Sequence, residues 1–182
     1  MEHPSVVYEM RWENFGETIT EDGHKVFFRG KEDKHEHGIR FPVHKGIMNT
    51  VMGSCPVSSR LIIICQRAVP FNTTIVQANA PKMGEFYDKP QNVIDKTLKK
   101  DILVMPGDWN AKWGKDAYEN WQGNCWPFCK DKTNERGLQF LEFATFNDLV
   151  LAITFGHHKA SRIWTWHSSG GQTTTRSITF YC

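Results

Sequence analysis

The stretch from Asp101 to Gly114 (Asp-Ile-Leu-Val-Met-Pro-Gly-Asp-Trp-Asn-Ala-Lys-Trp-Gly) constrains the fold more than any other part of the chain. Ile102 to Met105 is a short unbroken apolar run, the pattern of a strand buried on both faces. Pro106-Gly107 stops it, which leaves Asp108 and Asn110 just past its carboxyl end. They are two residues apart, and an extended backbone directs both side chains to the same side. A carboxylate there can hold or deprotonate a water, and an amide can orient it or steady an anionic oxygen. The same spacing also fits a strand closed by an Asx-turn, with both side chains bonded to their own backbone.

The rest of the composition sets bounds. At 182 residues the chain suits one domain with a full core. A net charge of +2 provides no global field for nucleic acid or membrane, so a nucleic-acid site has to be a local patch. Seven tryptophans can stack bases or fill a core. No window is long and apolar enough to cross a bilayer, and Met-Glu-His-Pro-Ser lacks the layout of a signal peptide. The five cysteines (55, 65, 125, 129 and 182) are odd in number and scattered, which points to reduced thiols. The expectation is a nuclear or cytoplasmic protein, not a secreted one.

In chain order, Val6 to Trp12 reads as a strand carrying Glu9, and Glu17 to Gly23 as polar turn material. Val26 to Phe28, Gly38 to His44, Arg60 to Gln66 and Phe71 to Ala78 read as strands. His35 and His37 in a charged loop, with His24 and His44 nearby, invite a zinc reading. No Cys or carboxylate stands at ligand spacing, which favours a solvated loop. Glu85 to Lys99 changes to helical period and feeds the Ile102 strand. Asp116 to Asp131 reads as a loop, and its Cys125-x3-Cys129 has no second pair to complete a metal site. Thr133 to Gly137 leads into a second helix with Leu138, Leu141, Phe143, Ala144 and Phe146 on its apolar face. Leu149 to Leu151, Ile163 to Trp166 and a last short segment read as strands. Many strands with a few helices between them fit a β-sandwich flanked by helices.

Five segments in order, Tyr-Glu-Met-Arg-Trp, Glu-His-Gly-Ile, Gly-Asp-Trp-Asn-Ala-Lys-Trp-Gly, Thr-Asn-Glu-Arg-Gly-Leu and Thr-Trp-His-Ser, resemble the endonuclease/exonuclease/phosphatase superfamily. The likeness is to the apurinic-type endonuclease domain of RTE/BovB-class non-LTR retrotransposons, and it covers essentially the whole chain. It favours the catalytic over the simple turn reading of Asp108 and Asn110. It implies an α/β (α+β) four-layer sandwich, two packed, mostly antiparallel β-sheets flanked by helices. It also implies one domain over 1–182, incomplete at both ends. The implied reaction is Mg²⁺-dependent (or Mn²⁺-dependent) hydrolysis of a DNA phosphodiester, with no membrane and no obligate protein partner. By the resemblance Glu9 is the metal-binding glutamate, Asp108 activates the attacking water and Asn110 orients substrate and water. Asn134 falls at a substrate-side position, and Trp166 on a strand near the DNA surface.

The departures carry equal weight. The family's first-strand asparagine is absent, and its Tyr-Ala-Pro tyrosine is Asn79, which removes an aromatic hydroxyl near the phosphate. After Gly171-Gln172, relatives read His-His-Asn-Gln-Ile-Asp-Tyr-Ile where this chain has Thr173-Thr174-Thr175-Arg176-Ser177-Ile178-Thr179-Phe180. Written as CAC CAC AAC CAG ATC GAT TAC ATT and read one nucleotide late, the family peptide becomes Thr-Thr-Thr-Arg-Ser-Ile-Thr, then Phe if a T follows. Residues 173–182 are therefore expected to be an out-of-frame tail. Ile178 then stands at a metal-site aspartate, and the family's later Ser-Asp-His segment is missing. Residues that act as a unit fail together, so little or no nicking is expected, along with an unpaired sheet edge. A slow enzyme using the retained half-site is one alternative. A non-catalytic DNA- or protein-binding remnant using Trp109, Trp113 and Trp166 is the other.

Overall fold

A computed structural model describes residues 15–30, 38–81, 86–127 and 132–154, with strand backbone at 166–167, 174–175 and 180–181. Strands β1 (Phe15–Ile19), β2 (Lys25–Arg29) and β3 (Ile39–Val43) form an antiparallel sheet. The expected turn at Glu17–Gly23 is therefore shorter, since its first three residues lie in β1. Residues of β1 pair with β2 from Phe15 opposite Arg29 to Ile19 opposite Lys25, and Glu17 Oε1 lies 2.8 Å from Lys25 Nζ on the diagonal. The pattern is hard to read because Phe15 and Ile19 are exposed, which inverts the alternation expected of a half-buried strand.

A 3-10 segment at Lys45–Thr50 leads into β4 (Val51–Ser58), an edge strand that carries Gly53 and Pro56 and was not anticipated. β5 (Leu61–Gln66) and β6 (Thr73–Asn79) continue the second sheet antiparallel. Helix α1 (Asp88–Lys96) then returns the chain so that β7 (Ile102–Val104) pairs with β6 in parallel. The Ile102 strand does not simply stop at Pro106-Gly107. It breaks at Met105-Pro106 and resumes as β8 (Gly107–Asp108), also parallel to β6. Pro106 O accepts from Ala78 N at 2.9 Å and Asp108 O from Ala80 N at 2.7 Å, so the ladder spans the break.

Next come α2 (Lys115–Asn120) and α3 (Glu135–Phe146). The first corrects the expected loop at Asp116–Asp131: its six residues bury one side chain, Ala117, too little to create a visible apolar period. β9 (Val150–Leu151) follows. β10 (Trp166–His167) pairs with β11 (Thr174–Thr175), and β12 (Phe180–Tyr181) pairs with β9. β9 thus has β12 as a partner on one side. Ladder bonds are made by backbone groups, so they do not require the family's side chains at these positions.

The faces of β5 divide the core. Ile62 and Ile64 pack with Phe27, Ile39 and Val43 of the first sheet. Leu61, with Val76 and Ala78 of β6, turns to the helical layer and meets Trp109, Trp113, Phe140, Leu141 and Ala144. Two mostly antiparallel sheets packed face to face, with helices outside the second, make an α/β sandwich. Among the described residues, no helix is long and apolar enough to cross a membrane.

Candidate functional site

From Leu103 to Trp113 every odd-numbered residue is buried on the helical side, while Asp108 and Asn110 are only partly buried. The segment is not uniformly extended, however. Asn110 has φ 51°, a left-handed conformation that asparagine tolerates better than most residues. Its backbone N–H donates to Asp108 Oδ1 at 3.0 Å, the bond of an Asx-turn. The expectation of an extended backbone is corrected on this point, and the turn reading describes the local geometry.

The turn is tied on three sides. Asn110 Nδ2 donates to Ala80 O at 2.7 Å, which also fixes which way round the carboxamide sits. Asn134 Nδ2 donates to Asn110 O at 3.3 Å. Asn134 Oδ1 accepts from Lys112 N at 2.9 Å and from Gly137 N at 2.7 Å, so the same side chain caps α3 and grips the loop. Gly137 permits this approach, because a Cβ there would overlap the carbonyl oxygen of Lys112. Gly107, at φ +149°, lies against Ala78 in the same way: a Cβ would strike the Ala78 carbonyl.

Register places the turn at one end of the sandwich. Asn79 is paired with Asp108, and Asn79 N donates to Arg60 O at 2.9 Å, one step beyond Leu61 opposite Ala78. Directly opposed residues share a face of the sheet. Counting by twos from Ile62, that face is the one between the sheets. Arg60, Asn79 and Asp108 therefore form a row across three strands where the inter-sheet core ends. Arg60 Nη1 also donates to Asn79 O at 3.3 Å. Nothing in the sequence marks Arg60, which lies 48 positions before Asp108; the strand register alone connects them.

Glu9 lies outside the described residues, as do His35, His37, Cys129 and Ile178. Trp166 is described in backbone only, paired with Thr175. Trp109 and Trp113 correct the stacking expectation. Both are fully buried, within an aromatic cluster with Phe140, and Trp113 Nε1 donates to Gly137 O at 3.2 Å. A ring with no exposed face cannot stack a base. Tyr87 lies parallel to Trp109 in that cluster, with centroids 6.1 Å apart. Burial pushes its phenol up to about 12, against a smaller opposing pull from Arg136.

His24 and His44 come together, with ring centroids 4.8 Å apart. His24 Nδ1 accepts from Lys45 N at 3.2 Å and His44 Nδ1 from Gly46 N at 3.1 Å. In both rings Nδ1 thus serves as an acceptor. An imidazole that ligates through Nε2 needs Nδ1 as a donor, and here it faces a backbone N–H, so this pair does not suit zinc. Among the described residues, no three His, Cys, Asp or Glu are grouped to hold a metal.

These strands, their register and the helical layer give the chain the fold seen in solved endonuclease/exonuclease/phosphatase domains. The fold matches the endonuclease domain of TRAS1, a telomere-specific non-LTR retrotransposon, with TM-score 0.58 and 15% identity over 86% of this chain and 66% of that one. An endonuclease/exonuclease/phosphatase family protein from Leptotrichia buccalis matches with TM-score 0.52 and 13% identity over 89% and 61%. In sequence the chain is 31% identical over 173 residues to craniofacial development protein 2 of Tragulus javanicus and of Bos taurus. The match spans 91% of this chain but 29% and 28% of those proteins, so the chain covers under a third of their length. No family model matches.

Proposed function

We propose that the chain carries a retrotransposon-derived DNA endonuclease domain whose present copy nicks DNA weakly or not at all. The observation that carries this reading is the Asp108–Asn110 turn, held at the end of the inter-sheet core on a nuclease-like fold. In it Asp108 takes the proton of an attacking water. Asn110 Oδ1, set by the Nδ2 bond to Ala80, accepts a hydrogen bond from that water and orients it. Asn134 holds the turn and has one amide hydrogen left for a substrate oxygen.

Asp108 and the Asn110 amide are hard oxygen donors, the kind Mg²⁺ or Mn²⁺ takes, and Mg²⁺ needs only one or two carboxylates beside waters and phosphate. Glu9 would supply the metal-binding carboxylate. Such an ion, when bound, stabilises charge developing on a phosphoryl oxygen. The weak activity follows from Ile178 at the position of the family's aspartate, since a hydrocarbon neither ligates an ion nor takes a proton. We attribute that change to a reading-frame shift before Thr173. Genomic codons that fail to restore Asn-Gln-Ile-Asp on shifting the frame would sink that explanation.

Plasmid nicking with Mg²⁺, comparing wild type with Asp108→Ala, tests the reading. Faint nicking that disappears in the variant supports a surviving half-site, and none from either folded protein supports a lost activity. Nicking that persists in Asp108→Ala would overturn the role of Asp108. The replacement at Ile178 also supports a second reading, a non-catalytic DNA- or protein-binding remnant. Salt-dependent DNA binding unchanged by Asp108→Ala would favour it.

A further inference from the structure

We propose that Arg60 contacts a backbone phosphate of nucleic acid bound beside the Asp108–Asn110 turn. The inference rests on the phosphodiester reading above and adds to it a cation that supplies affinity. Three observations converge on it. Arg60 stands in one row with Asn79 and Asp108 across adjacent strands, on the face between the sheets, and all three are partly exposed. Strands are spaced by about 4.8 Å, so the Arg60 and Asp108 backbones are about 10 Å apart, a gap that a long side chain and one phosphate group can close. The row is polar throughout and continues the apolar file Ile64–Ile62, so it lies where the described apolar core between the sheets ends.

The guanidinium also starts from a defined place. Its single described hydrogen bond, from Nη1 to Asn79 O at 3.3 Å, lies along the strand end and holds the planar group near the row. One such bond uses one of five N–H donors, and the fork geometry of the rest matches phosphate oxygens. Among the described residues, no carboxylate forms a salt bridge with Arg60. A cation with no acidic partner among the described residues, beside the carboxylate of Asp108, suits an anionic substrate. It also supplies the local patch that a net charge of only +2 requires. The competing role is structural, a tie between the start of β5 and the end of β6.

Fluorescence anisotropy of a labelled DNA duplex, titrated in EDTA across a salt series, separates these roles. Wild type is expected to bind with an affinity that falls with salt. Arg60→Gln keeps an amide donor for Asn79 O but loses the charge. It should weaken binding about tenfold, since hydrogen bonds to charged groups are strong. It should also reduce the salt slope by about 0.9, the value of one phosphate contact. Arg60→Lys keeps the charge without the fork, so the slope should persist while affinity falls severalfold. Wild-type slope and affinity in folded Arg60→Gln would overturn the role of Arg60 while leaving the phosphodiester reading intact. Wild type that binds no duplex at any salt would overturn that reading itself. Should Arg60→Gln fail to fold, Arg60→Lys decides: affinity equal to wild type counts against a forked phosphate contact.

Discussion

Asn110 donates its backbone N–H to the carboxylate of Asp108, the very group assigned to activate water, so one oxygen of Asp108 builds the turn. Structure and chemistry can therefore be separated at this position. Asp108→Asn keeps an oxygen for the turn but loses the base, whereas Asp108→Ala loses both. Denaturant unfolding should show Asp108→Asn near wild type and Asp108→Ala lower by about 1 kcal/mol, with any nicking absent from both. Equal stability of the two variants would remove the turn from the account.

Asn134 permits a finer dissection. Asn134→Ala loses the helix cap and two bonds to the loop, and should cost about 1–2 kcal/mol. Asn134→Asp retains the acceptor for Gly137 and Lys112 but cannot donate to Asn110. It should recover most of the stability and leave the turn less tightly held. Amide hydrogen exchange at Asn110 and Lys112 would read that difference directly.

Gly107 is the least replaceable residue of the segment. A methyl group there meets the Ala78 carbonyl, and φ +149° is unfavourable for any side chain. Gly107→Ala should cost about 3 kcal/mol or more by forcing β8 from β6. A variant with an unchanged unfolding midpoint would contradict the β6–β8 pairing.

Tyr87 gives the domain an alkaline limit. Its phenol is raised from the ordinary 10.0 to about 12, so between these values the unfolded chain ionises while the folded one stays protonated. The unfolded state then binds fewer protons, and stability falls as pH rises. The contribution is full below pH 10 and is lost progressively as pH rises toward 12, on the order of 2 kcal/mol. Tyr87→Phe should flatten that part of the stability profile relative to wild type.

The strands and helices with strong periodicity were legible in the sequence. Leu61–Gln66 and Thr73–Asn79 are apolar or alternating, and Glu135–Phe146 repeats at helical spacing. What escaped has physical causes. β1 exposes its large residues, β4 is an edge strand with Gly and Pro, and α2 buries one alanine. At the candidate site, motifs single out Asp108, Asn110 and Asn134, but the left-handed Asn110 and the grip of Asn134 depend on contacts across the fold. Trp109 and Trp113 look like stacking residues until the helical layer is in place. Arg60 becomes visible only through the register of β5 with β6.

The alternation through Gly107-Asp108-Trp109-Asn110 has a consequence for how such a chain ages. Trp109 anchors the helical layer, Gly107 lets two strands touch, and Asp108 and Asn110 on either side of Trp109 shape the turn. Selection for folding alone would therefore keep most of this motif in place after catalysis had ceased to matter. Side chains that serve chemistry alone carry no such double duty and are free to drift first. A domain built in this way would lose its chemistry before its fold, and its most recognisable signature would be the last thing to go.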